Sequence, residues 1–181
     1  MSHAAWDDVV RFWRDAGPSA WFRKNPDFDR RFRERFHEAH FAAARREHDG
    51  WVTQEPHSAL ALLLLLDQYP RNAFRGTGHM YATDPLARHY ADRMVAQGFD
   101  QRIEESLRLF CYLPFAHSED MADQQRSLAL NRALGADSGE HAQGHLDIIR
   151  RFGRFPHRNH LLGRATTPEE QAFLDGGGFA G

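Results

Sequence analysis

Trp6, Val9, Val10 and Trp13 recur at the i, i+3, i+4, i+7 spacing of one helix face, and Gly17 with Pro18 ends that segment. Asn25 followed by Pro26 reads as an N-cap and a first-position proline. Phe28, Phe32 and Phe36 then stack every fourth residue along a helix expected to reach about His48, before Gly50. The stretch SALALLLLLDQYP is apolar nearly all round, the mark of a helix buried on most sides. Pro70 disfavours helical geometry just before itself, so this helix is expected to end near Tyr69, with RNAFRGTG as a loop.

Further on, Thr83 or Asp84 with Pro85 opens a helix that Gly98 closes. The next follows Asp100, turns Ile103, Leu107 and Phe110 toward the core, and is expected to stop before Pro114. Ser118 is expected to cap another, with Glu119 and Asp120 in its first turn and its end at Gly135. His141, His145, Ile148, Ile149 and Phe152 mark a helix closed by Gly153, and Thr167, Pro168 and Glu170 form a capping signature. The pattern predicts an all-α chain of about eight helices in antiparallel pairs. It reads as a single domain, 1–181, with a loose tail from 175 to 181.

A chain of 181 residues suits one domain with a real core. Its net charge of −2 argues against a chain-wide field for nucleic acid, so any basic patch must be local. Lys24 is the only lysine, so nearly every positive charge is a guanidinium suited to carboxylate or phosphate forks. Cys111 is the only cysteine, which excludes an internal disulfide and fits a reducing compartment. Asp7 and Asp8 stand where a signal peptide needs a basic end, and the apolar run Leu60–Leu66 is far short of the roughly 20 residues of a membrane helix. A cytoplasmic, soluble protein is expected.

Three segments set polar groups in apolar surroundings: LDQYPRNAFRG (66–76), FCYLPFAHSED (110–120), and His141 to Arg164. Asp67 needs partners at the end of a buried helix. It is either one carboxylate of a network with Arg71, Arg75 and the third segment's arginines, or a general base or metal ligand. Glu119 and Asp120 suit a helix N-terminus, while His117 lies just outside it. His141 and His145 share a face. They lack the acid of an H-E-x-x-H motif and a third ligand, so no metal and no cofactor is expected. Arg151, Arg154 and Arg158 alternate with Phe152, Phe155 and Pro156, an interleaving that can hold single-stranded nucleic acid. Without a surrounding positive field, arginine–carboxylate forks are the more economical use. At least one of Arg154 and Arg158 is expected to face a cleft.

In this order, LLLDQYPRNAFRGT, FCYLPFAHSEDMADQ and IIRRFGRFPHRNHLLGRATTPEEQAFL resemble the bacterial domain-of-unknown-function family 924, with FW, WF and FD near the start and Trp51 in keeping. The resemblance covers almost the whole chain. It implies an all-helical, tetratricopeptide-like α-α superhelix and no particular reaction. Motif positions match at Asp67, Gln68, Pro70, Arg71, Asn72, Arg75, His117, Glu119, Gln124, His145, Arg154, Pro156, His157, Arg158, Asn159 and Arg164, among others, while Tyr69 and Cys111 depart mildly.

The matching segments are the three already singled out, and polar groups so far apart are most simply explained if they meet in one cleft. The leading expectation is a site for a small anionic molecule, with hydrolysis or acid–base chemistry if it is an enzyme. His117, Glu119, Asp67 and His157 are the catalytic candidates. Arg71, Arg75, Arg151, Arg154, Arg158 and Asn159 are the ligand-binding ones. The rival is a helical-repeat-like interaction module whose groove holds a peptide and whose polar signature is structural. Neither reading involves nucleic acid or a membrane.

Overall fold

The computed structural model describes residues 5–181. Those residues form helices and turns and no strand. In chain order the helices are α1 (Trp6–Ala16), α2 (Pro18–Trp21), α3 (Pro26–Ala44), α4 (Trp51–Gln54), α5 (Pro56–Leu63), α6 (Tyr69–Ala73), α7 (Asp84–Ala96), α8 (Glu105–Ala116), α9 (Met121–Arg132), α10 (Ala136–Phe152) and α11 (Pro168–Asp175). Short 3₁₀ turns stand at Gly78–Tyr81, Asp100–Arg102 and Pro156–Arg158. The pieces outnumber the expected eight because α2, α4 and α6 are single turns of four or five residues. Among the described residues no helix is long and apolar enough to cross a membrane.

Two compact units are distinguished: residues up to Arg75 with His79–Pro114, and Gly76–Gly78 with Phe115–Gly181. In the first, α5 packs against α1, α4 and α7, and α3 packs against α6. Every residue from Ala59 to Leu66 is buried, as the all-round apolar pattern requires. Trp13, Phe32 and Phe36 are also fully covered, and Asn25 caps α3 by accepting from the Asp27 and Phe28 N–H groups. The α3 helix kinks at Phe36 and ends at Ala44, short of His48, with turns carrying the chain to Gly50.

Both expected proline stops are displaced. The buried helix does not end at Tyr69 but continues through a π-helical turn, Leu64–Gln68, into α6, so the first three residues of RNAFRGTG are helical. The Tyr69 N–H reaches five residues back to Leu64 O, and this wider turn accommodates Pro70, which has no N–H to give. Pro114 likewise lies inside α8, but near its C-terminal end, where little of the hydrogen-bond ladder remains to be broken.

In the second unit α9 and α10 pack along each other across a short turn. Ile148, Ile149 and Phe155 form its core with Met121, Phe152 and Phe173 around them. The cap of α9 is Asp120 rather than Ser118: its carboxylate accepts from the Ala122 and Asp123 N–H groups. The Ser118 hydroxyl accepts from the Asp120 N–H and donates to Asp123 Oδ2, which places Glu119 before the helix instead of in its first turn. Gly153, in the left-handed region at φ 69°, closes α10, and Thr167 with Glu170 forms the expected capping box of α11.

Candidate functional site

In the first unit, three successive carbonyls around the π turn accept from side chains. Leu65 O takes His40 Nδ1 at 2.8 Å, Leu66 O takes Thr83 Oγ1 at 2.5 Å, and Asp67 O takes Arg71 Nη1 at 2.8 Å. Pro70 explains the demand, because it returns no N–H to the turn before it. Thr83 was a candidate cap for α7, but its hydroxyl serves this carbonyl. Arg71 also holds Asp84 in a two-pronged pair at 2.7 and 2.9 Å, and Asp67 Oδ1 lies 3.4 Å from Nη1. Asp67, 1% exposed, accepts from Gln68 Nε2 at 2.7 Å. Burial opposes charge on Arg71, but Asp67 and Asp84 raise its pKa, so it stays a cation. Arg75 pairs with Asp29, which also accepts from Asn72.

His40 is fully buried and stacked on Tyr69. Its bond to a carbonyl requires the proton on Nδ1, so Nε2 is the acceptor and receives His79 Nε2–H at 3.0 Å. Burial is the main cause that lowers the His40 pKa to about 4, with the charges of His79 and His37 adding to it. Sequence reasoning passed over this pair. The available signal was the fourfold stripe itself, since His40 continues Phe28, Phe32 and Phe36.

The second unit repeats the logic. Gln124 Nε2 donates to Ala116 O and Ser118 O at 2.8 and 2.6 Å, and Arg158 Nη2 donates to His117 O at 3.0 Å. Glu119 accepts the Phe155 N–H at 2.8 Å and both amino groups of Arg164. Arg164 continues to Phe155 O and to Asn159 Oδ1, and Asn159 Nδ2 reaches Glu170 at 3.2 Å. Glu170 takes Arg154 at 2.6 and 2.8 Å and the Thr167 N–H. The outcome is one chain of charged and amide groups stitching the turn at 116–119 to the segment 154–170. Arg151 sits outside it, exposed, over Phe152 and against Glu169.

This network bears on the candidate catalytic groups. Burial works against the Glu119 carboxylate, but hydrogen bonds from Arg164 and Phe155, with the charges of Arg164 and Arg158, hold its pKa below the usual range. Arg154 is the largest cause that brings Glu170 down to about 2. Carboxylates held this way are poor proton carriers near neutrality. His145 and His157 flank Phe155, at ring distances of 5.6 and 5.7 Å, and Phe179 of the tail lies edge-on to both, at 4.8 and 5.1 Å. Burial, then the charges of His117, Arg158 and His141, lower the His145 pKa to about 4. Its Nδ1 is buried without a hydrogen-bond partner among the described residues. The Arg158 guanidinium lies 4.6 Å over the Phe155 ring. No group of three or more His, Cys, Asp or Glu among the described residues is placed to hold a metal ion.

The sequence profile of the family described as "Bacterial protein of unknown function (DUF924)" matches residues 9–178. The chain belongs to this family. A solved structure of a protein of unknown function, ATU0120 from Agrobacterium tumefaciens, is 58% identical, with a TM-score of 0.92 over 94% of this chain and 97% of that one. No curated protein matches. The family positions quoted above fall into two sets. Asp67, Arg71, Asn72 and Arg75 are tied together within the first unit, and Glu119, Gln124, Arg154, Arg158, Asn159 and Arg164 within the second. Sequence reasoning did not place Arg164 on Glu119 or Glu170 under Arg154. The local pattern marks Glu170 only as a capping residue, and its second duty has no local signal.

Proposed function

We propose that the second unit binds a small anionic molecule, a carboxylate or a phosphate, at the imidazoles of His145, His157 and His117 beside Arg158. One observation carries this reading: the His145 Nδ1 atom is buried and has no hydrogen-bond partner among the described residues, in a neighbourhood of positive or protonatable groups. A buried polar atom left unpaired costs about 1–3 kcal/mol, and such an atom calls for a partner. The carboxylates Glu119 and Glu170 of this unit are engaged by Arg164 and Arg154. An incoming anion would accept from His145 Nδ1–H and favour its protonated form. Arg71, Arg75, Arg151 and Arg154 are engaged by protein acids, so the histidines contribute more to this reading than the arginines do.

Thermal unfolding at pH 6, with phosphate, sulfate and small carboxylates against chloride at matched ionic strength, tests it. A ligand bound only by the folded state raises the melting point, by about 2.7 kcal/mol of stability at a hundredfold excess over Kd. At least one anion is expected to do so, with the gain lost in His145→Asn and His157→Asn. If none raises the melting point above the chloride control, the reading fails and the polar signature is structural.

A further inference from the structure

The chain leaves α11 through three glycines, Gly176 to Gly178. Gly177 stands in the left-handed region at φ 80°, where other residues are strained. Its N–H donates to Leu174 O, and the Gly178 N–H reaches back to Phe173 O at 2.9 Å, the two bonds that close a helix in a Schellman turn. A Cβ on Gly178 would lie 2.6 Å from the Phe173 ring and from the Phe173 carbonyl, so only glycine passes there without a shift. Beyond this turn the chain lies on the imidazole cluster of the second unit. The Phe179 ring is edge-on to His145 at 4.8 Å and to His157 at 5.1 Å. Gly181 comes so near His157 that a Cβ on it would be 3.1 Å from Cδ2 and 3.2 Å from Nε2. The Nδ1 atoms of both histidines are buried.

The groups around these imidazoles are not held alike. His145 rides on α10, and Phe155 is a core residue whose N–H and C=O are bonded to Glu119 and Arg164. Phe179, Ala180 and Gly181 make no hydrogen bond among the described residues, and Phe179 is 43% exposed. A segment with few buried apolar contacts and no backbone bonds opens at low free energy.

We infer that Gly176–Gly181 is a strap that closes the imidazole site, with Phe179 as its latch, and that it swings aside at Gly177 and Gly178 to admit the anion. This rests on the anion site proposed above. A buried Nδ1 meets nothing from solution until a covering group moves, and the strap is the covering group with the fewest bonds to lose. An anion that binds only the open form has its apparent affinity reduced by the open fraction, so the strap sets how tightly the site holds its ligand.

The test compares the parent chain with two variants. Phe179→Ala removes the latch ring, and Gly178→Ala keeps the ring but adds a Cβ that displaces the strap from Phe173. Modification by diethylpyrocarbonate at about pH 7 is followed residue by residue by mass spectrometry, with the exposed His160 of the same unit as reference. Binding of inorganic phosphate, sulfate and acetate is followed by calorimetry. In both variants His145 and His157 are expected to react at least about fivefold faster, and an anion that the parent binds is expected to bind tighter by a similar factor, since both gains measure the closed population removed. Unchanged reactivity of the two histidines in Phe179→Ala overturns the strap, whatever the anions do. Faster reactivity with weaker anion binding overturns it too, because Phe179 then belongs to the binding surface. Faster reactivity with no anion bound by any of the three proteins supports the strap and sinks the anion site instead.

Discussion

Glu119 and Arg164, 45 positions apart, meet in a two-pronged ion pair, with Nη1 2.7 Å from Oε2 and Nη2 3.0 Å from Oε1. The same carboxylate accepts the Phe155 N–H, and the same guanidinium donates to Phe155 O. One pair therefore satisfies both backbone groups of the residue that centres the imidazole cluster. In the anion site proposed for the second unit, that makes Glu119 a positioning residue more than a reactive one.

Glu119→Gln is expected to cost about 2 kcal/mol in urea unfolding, since a charge-assisted bond is lost and a partly buried guanidinium is left poorly paired. The pH dependence has a definite sign. A carboxylate whose pKa is lowered on folding stabilises the fold above its unfolded pKa, and this contribution disappears as pH falls through the folded pKa. The variant is therefore expected to lose part of the parent's acid sensitivity below about pH 4.5. Equal pH profiles for the two proteins count against the pairing.

Arg71 holds Asp84 and lies against Asp67, and all three side chains are largely buried. Arg71→Met is expected to cost on the order of 3–5 kcal/mol, because breaking a buried pair from one side leaves uncompensated charge. Arg71→Lys is expected to recover only part, as an ammonium cannot form the fork that spans both Asp84 oxygens. Adding Asp84→Asn to Arg71→Met is expected to restore some stability. A double-mutant cycle by chemical denaturation with a coupling near zero would remove this pair from the account.

His40 and His145 have folded pKa values near 4, below the usual histidine value, chiefly through burial. The unfolded chain then binds more protons than the fold, so stability rises with pH between about 4 and 6.5 and falls as the solution is acidified through that window. Between pH 6.5 and 4.5 this loss belongs mainly to the histidines, since the lowered carboxylates titrate below it. His40→Asn, whose amide can replace the Nδ1–H donor to Leu65 O, is expected to flatten the slope even if it lowers the plateau. His145→Asn is expected to flatten it independently. Imidazole NMR titrations giving values near 6.5 for both would refute the assignment.

The amino-acid sequence by itself determined the helical class, most helix starts and stops, and the most buried helix. Caps, prolines and a 3.6-residue period act over a few residues, so they can be read locally: Asn25, Gly153 and the Thr167–Glu170 box all stand where the pattern put them. It also singled out the polar segments, because charged groups among apolar ones need partners wherever they lie. The tertiary structure decided who those partners are. Pro70 and Pro114 read as stops, yet one was absorbed by a π turn whose carbonyls are taken by His40, Thr83 and Arg71, and the other fell where few helical bonds remained. Glu119 found Arg164, Arg154 found Glu170, and His40 found His79, across 45, 16 and 39 positions. Many arginines and acids are equally good partners on charge alone, and only the packing of the helices brings one within 3 Å of another.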